Sequence, residues 1–292
     1  MRSYELKDDS DIRSMRDLIE ALPTASTIQD FEETMMLSSV RTRTRLWEEN
    51  GKVIGFAFVD DYNNLRFEIS SGRRNVQLEN EIIAWGVECI QKRNAETGER
   101  NTLDASFQLE NHWQIEMLKR HGFEQESIRS LHYERDLKKP ISACPFPDGY
   151  RLRSVNGEHE VENLVTLHRA AFGTANMTLE ARLAIMQAPQ YEPELDYVVV
   201  APNGELAAFC ICGFEDEQNQ IGYTDPIGTH PRYQKQGIGK AMVAAGLKAL
   251  KERSAHTVGV GTSSENIPMQ RLAESLGFEI VSESMWFSKI VT

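Results

Sequence analysis

The sequence predicts a mixed α/β protein made of two tandem domains, each a twisted mixed β-sheet flanked by helices. Three observations carry this reading. Strand-like and helix-like periodicities alternate along the chain, and the order of elements in the first half returns in the second. A stretch with three prolines and a terminal glycine, Lys138 to Gly149, separates the halves. With 292 residues, 40% hydrophobic and 26% charged, the chain is long enough for two cores. The expected domains are 1–139 and 140–292.

In the first half, Ser3 to Lys7 reads as a strand. Asp9 to Leu22 reads as a helix with Ile12, Met15, Leu18, Ile19 and Leu22 on one face, capped by Ser10 or Asp9 and stopped by Pro23. Thr27 to Leu37 is a second helix. Arg43–Glu49 and Lys52–Asp60 form a hairpin about Asn50-Gly51, the favoured two-residue turn. Leu65–Ile69 is a strand, Val76–Lys92 a long helix and Thr102–Phe107 another strand. Asn111–His121 is a helix closed by Gly122, and two strands follow, near Gln125–Ser130 and Leu131–Leu137.

The second half repeats the order. Tyr150–Ser154 is a strand, and Glu160–Phe172 and Leu179–Gln187 are helices. Asp196–Ala201 and Glu205–Phe214 form a hairpin about Asn203-Gly204. A strand, Ile221–Thr229, and a helix, Lys240–Arg253, lead to a strand at Thr257–Gly261, a helix at Asn266–Leu276 and a final strand pair in Glu279–Ile290. The stretch from Gly51 to Asn111 nearly matches in length that from Gly204 to Asn266. Both end in a helix that runs into Gly-Phe, Gly122-Phe123 and Gly277-Phe278.

A net charge of −12 argues against a general nucleic-acid binder, which needs clustered Lys and Arg. No apolar run approaches a membrane span, and the acidic N-terminal stretch does not read as a secretory leader. Cys89, Cys144, Cys210 and Cys212 are too few and too scattered for a disulfide framework, and Cys210 and Cys212, two apart on a strand, read as buried thiols, so a reducing cytoplasmic setting is expected. The histidines show no metal-ligand spacing, and no metal is expected.

The chemistry concentrates between Ile221 and Arg253. Pro226 and Gly228 break the strand, and Gln234-Lys235-Gln236-Gly237-Ile238-Gly239 opens the helix. Glycines at a helix start let amide N–H groups converge, and the helix adds unpartnered donors and a positive dipole end, which suits a pyrophosphate. Met242 rules out the dinucleotide pattern G-x-G-x-x-G, and no Gly-Lys-Ser/Thr follows for a P-loop.

Gln234-x-x-Gly237-x-Gly239, preceded by Thr-His-Pro-x-Tyr and followed by a helix of small residues, resembles the acyl-CoA-binding signature of the GNAT superfamily of N-acetyltransferases. Asn266 through Leu276-Gly277-Phe278 is similar to that family's second motif. The resemblance implies acetyl-CoA as acyl donor, with Gln234, Lys235, Gln236, Gly237, Ile238, Gly239 and Lys240 around the pyrophosphate. It also implies the pantetheine arm against Ile227, Gly228 and Thr229, with the Thr229 amide as donor to the thioester oxygen and Asn266 closing the tunnel. One departure is Ala273, where the family often has a Tyr that protonates the departing thiolate. The layout resembles tandem members of the superfamily with one degenerate and one working half, since Ile69-Ser-Ser-Gly72-Arg73-Arg74-Asn75 has a single glycine.

For an amine attacking a thioester, the base candidates are Asp225, then Tyr223, which share one side of the strand. His230 reads as structural, and Ser263 and Ser264 as turn or cap residues. The expected activity is acetyl transfer from acetyl-CoA to a primary amine on a small molecule or peptide. The alternatives are a non-catalytic CoA-responsive or protein-binding module, or transfer to a hydroxyl or of a longer acyl group.

Overall fold

The computed structural model describes residues 1–22, 28–216 and 220–292. Pro23 and Thr27, expected to end one helix and begin the next, lie outside these residues. The chain forms two compact units, Met1–Arg129 with Ser284–Thr292, and Ser130–Glu283. The division falls at 129/130 and again at 283/284, where sequence reading places it once, at 139/140.

In the first unit, β1 (Arg2–Glu5) pairs antiparallel with β2 (Thr44–Glu49), followed by β3 (Lys52–Val59) and β4 (Leu65–Ile69). Asn50 and Gly51, with φ of 52° and 78°, make the left-handed turn of the β2–β3 hairpin. Helix α1 (Asp9–Glu20) is capped by Asp8, whose carboxylate accepts the Ser10 amide at 2.8 Å; Ser10 and Asp9 are not the cap. Helices α2 (Ile28–Met35) and α3 (Ser38–Arg41) follow, the last unforeseen because four residues carry no periodicity. Helix α4 (Val76–Thr97) runs beyond Lys92 until Gly98 takes the left-handed cap, with φ of 74°. After β5 (Thr102–Gln108) comes α5 (His112–Arg120).

The expected strand pairs near 125–137 and 279–290 are each one continuous strand, β6 (Glu124–Asp136) and β12 (Glu279–Ile290). Neither contains Gly, Pro or Asn to make a turn. Strand β6 leaves the first unit after Arg129, and its remainder pairs antiparallel with β11 (Thr257–Ser263) of the second. Strand β12 enters the first unit at Ser284 and pairs antiparallel with β5.

In the second unit, β7 (Arg151–Ser154), β8 (Asp196–Val200), β9 (Leu206–Asp216) and β10 (Ile221–Thr229) form an antiparallel run. Strands β10 and β11 are parallel, joined by the crossover helix α8 (Ile238–Glu252). Helix α8 covers one face of the sheet, burying Met242, Val243, Leu247 and Leu250 with Cys210 and Cys212. Helix α6 (Val161–Phe172) packs on the other face with Val198 and Phe209, followed by α7 (Leu179–Gln187). Helix α9 (Ile267–Ser275) ends before Gly277, whose φ is 81°.

Candidate active site

Strand β10 stays paired with β9 to its end, with a register shift between Thr224 and Ile227 around the cis Asp225–Pro226 bond. Its pairing with β11 stops after Tyr223↔Gly259. Beyond that point the two parallel strands part, and the Asp225 carboxylate reaches across, with Oδ2 accepting the Gly261 amide at 3.3 Å. The proline break read in the sequence therefore becomes a gap between strands.

A cavity of about 520 Å³ opens beside this gap. Its walls include Ile227, Gly228 and Thr229 of β10, Gln234, Lys235, Gly237, Ile238, Gly239 and Lys240 of the turn, and Asn266 of α9. Of the expected cofactor residues, only Gln236 stands outside this lining; its Oε1 accepts the Tyr150 hydroxyl at 2.9 Å. The Gln234 side chain donates to the Thr229 carbonyl at 3.1 Å and so ties the turn to the strand.

Lys235 and Gly237 both have positive φ, 61° and 81°, which turns the backbone sharply into α8. Gly237 is the N-cap and supplies no side-chain cap bond, so no side chain covers the first amides of α8 at that position. Gly239 is needed for close approach, since a Cβ there would stand 3.2 Å from Leu272 and 3.5 Å from Thr229 Oγ1. Asn266 caps α9, accepting the Met269 amide at 3.2 Å, and also faces the cavity.

His230 accepts the Arg232 amide through Nδ1 at 3.2 Å, a turn-capping position. Ser263 Oγ likewise accepts the Glu265 amide at 3.1 Å. Ala273 is fully buried in the core under α9, so that position brings no hydroxyl to the cavity. Tyr223 lies against Gly213, where a Cβ would meet its hydroxyl at 2.6 Å, while Asp225 is exposed.

Sequence reasoning missed Arg271, which lines the cavity with Lys235 and Lys240. It also missed Ala171 and Phe172 at the end of α6. Ala171 and Phe172 lie outside both motifs, and Arg271, though inside the second, meets Lys235 and Lys240 only through the packing of α9 beside the turn.

The corresponding turn of the first unit is closed. Asn75 caps α4, accepting the Leu78 amide at 3.0 Å; Arg73 pairs with Glu49 at 2.7 Å, and the Arg74 guanidinium sits 4.6 Å over the Trp113 ring.

Residues 161–278 match the model of the acetyltransferase (GNAT) family. The chain has the tandem GNAT fold, and the family match lies within its second unit. Over 99% of its length the fold superposes on a GCN5-related N-acetyltransferase from Sphaerobacter thermophilus, covering 95% of that chain, with a TM-score of 0.71 and 18% identity. A tandem GNAT protein from the clavulanic acid biosynthesis pathway matches 99% of the chain and 98% of its own, with a TM-score of 0.71 and 16% identity. Among curated proteins, mycothiol acetyltransferase from Thermobispora bispora is 29% identical over 54% of this chain and 56% of its own length. That from Arthrobacter sp. is 29% identical over 49% and 46%. The chain thus spans about half the length of the curated relatives it matches.

Proposed function

We propose that this protein is an N-acetyltransferase that moves the acetyl group of acetyl-CoA to a primary amine by direct attack. The observation that carries the reading is the α8 N-terminus, left without a side-chain cap by Gly237, at a cavity ringed by Lys235, Lys240 and Arg271. These groups fit a pyrophosphate, and the apolar wall of Ile227, Met269 and Leu272 fits a pantetheine arm. The residues of this chain would then hold the donor by its phosphates and aim the Thr229 amide at the thioester oxygen, where charge develops during attack. Asp225, exposed at the strand gap, meets the acceptor's ammonium, with Tyr223 beside it.

The acceptor is a small molecule or a peptide; the relatives named mycothiol acetyltransferase favour the former, and they favour acetyl as the group moved. A second reading, a CoA-responsive module without turnover, is favoured by Ala273, which leaves the thiolate without the usual hydroxyl.

Free-CoA release from acetyl-CoA, measured against a panel of primary amines, separates the two. Amine-dependent release supports transfer, whereas tight acetyl-CoA binding with no release for any amine supports the module. Asp225→Asn is expected to lower turnover at least tenfold and to leave acetyl-CoA affinity within a few fold, a split between chemistry and donor binding. Full turnover in that variant removes Asp225 from the site.

A further inference from the structure

The face of the second unit's sheet away from α8 carries a polar group that the cofactor motif does not predict. Tyr223 pairs laterally with Gly259, and Gly259 in turn with Glu134 of β6. One step along, Gly261 pairs with His132 and donates its amide to Asp225. Two glycines of β11 therefore lie between Tyr223 and Asp225 on one side and His132 and Glu134 on the other. Two strand spacings, about 10 Å, separate these walls.

The glycines have a steric reason. A Cβ at Gly259 would stand 2.9 Å from His132 Cε1, and one at Gly261 would stand 3.1 Å from Asp225 Oδ2. The imidazole and the carboxylate thus lean inward over the floor. His132 Nε2 lies 3.5 Å from Glu134 Oε1. Leu131, Tyr133 and Arg135 alternate with this pair and are buried, which fixes His132 and Glu134 on the open face.

We propose that His132, oriented by Glu134, is the side chain that takes the acceptor amine's proton, with the amine lying on the Gly259–Gly261 floor opposite Asp225. This rests on the acetyl-transfer reading above. The ring nitrogen nearer the floor is Nε2, 3.4 Å from where a Gly259 Cβ would stand, so Nε2 is the accepting atom and Glu134 is the counter-charge beside it. The ammonium gives one proton to His132, which passes it to solvent. The freed nitrogen lone pair then forms the C–N bond to the thioester carbon. The C–S pair leaves on sulfur, and the second N–H proton ends on that sulfur, giving amide and free thiol. Imidazole suits this relay because one ring nitrogen can accept a proton while the other holds one. The charged groups around it are Glu134 on its own strand and Asp225 across β11.

The test compares wild type, His132→Gln and Glu134→Gln at saturating acetyl-CoA. CoA release with each panel amine is followed across the pH range, and acetyl-CoA affinity is measured by calorimetry as a check on folding. The expected result is at least a tenfold loss of amine turnover in His132→Gln with affinity kept within a few fold. In Glu134→Gln a fall in kcat with the amine KM kept within a few fold is expected. A second readout needs no turnover. The His132 imidazole nitrogen resonances, assigned by their loss in His132→Gln, should move when ethanolamine is added to CoA-saturated protein. Unchanged turnover and pH profile in His132→Gln overturns the proposal, as does a His132 signal that stays fixed on titration. If no panel amine is turned over, the transfer reading fails, and the titration still decides whether an amine binds beside His132.

Discussion

His168 and Arg182, on α6 and α7, tie the acid stability of the second unit to single side chains. The His168 ring stacks on Phe172 and Phe209, with centroids 4.6 and 5.2 Å away. Burial, and then the Arg182 charge, lower its pKa from the ordinary 6.5 to about 4. Between these values the unfolded chain binds more protons than the folded one, so stability falls as pH drops from 6.5 towards 4. His168→Phe keeps the stacking and removes the proton site. Its melting temperature should depend less on pH across that window than that of wild type; parallel curves would place the acid sensitivity elsewhere. Arg182 is buried against Asp196, which also accepts the Tyr191 hydroxyl at 2.6 Å. Removing the cation alone, as Arg182→Met, strands a buried carboxylate and should cost about 3–5 kcal/mol in denaturant unfolding. Arg182→Met with Asp196→Leu should recover much of that loss. Neither partner of this pair stands out in the sequence, since a single Arg within a short helix and an Asp that opens a strand share no spacing that ties them.

At the scale of elements, the strand-turn-helix from β10 to α8 is where sequence and structure agree most closely. Gly237 at the N-cap and Gly239 against Leu272 are local backbone demands, and local demands leave a signature in sequence. Gly237→Val puts a branched side chain at φ of 81° and beside the uncapped first amides of α8, and should weaken acetyl-CoA binding at least tenfold. Gly239→Val should do the same through Leu272 and Thr229. Gly72→Val, where a Cβ would meet nothing within 4 Å, should leave affinity unchanged. Calorimetry on the three variants checks this, and equal affinities would detach the turn from the cofactor. The hairpins about Gly51 and Gly204 were legible for the same reason. Strands β6 and β12 were not, because pairing partners distant in sequence decide whether a strand stops or runs on. His132 was read in the sequence only as a histidine without metal-ligand spacing, and its placement beside Gly261 depends on that pairing.

For the whole molecule, the two turns differ in whether the helix start is left without a side-chain cap. Asn75 satisfies an amide that Gly237 leaves uncapped, and Glu49 and Trp113 engage the arginines of the first unit. One acetyl-CoA per chain is therefore expected by native mass spectrometry with excess cofactor; two would mean that the first turn opens on binding.

The path of β6 bears on how such a chain can change. After a duplication, a copy that has lost its ligand is ordinarily free to decay or to be deleted. Here the segment Ser130–Asp136 follows directly from the first copy, yet it completes the sheet of the second and carries His132 and Glu134 to it. The tail Ser284–Thr292 runs the reverse course. A gene trimmed to residues 140–292 would encode a β11 with an open edge and a β12 without either strand that flanks it, a combination prone to aggregation. The first copy is thus retained by topology, whatever becomes of its own turn.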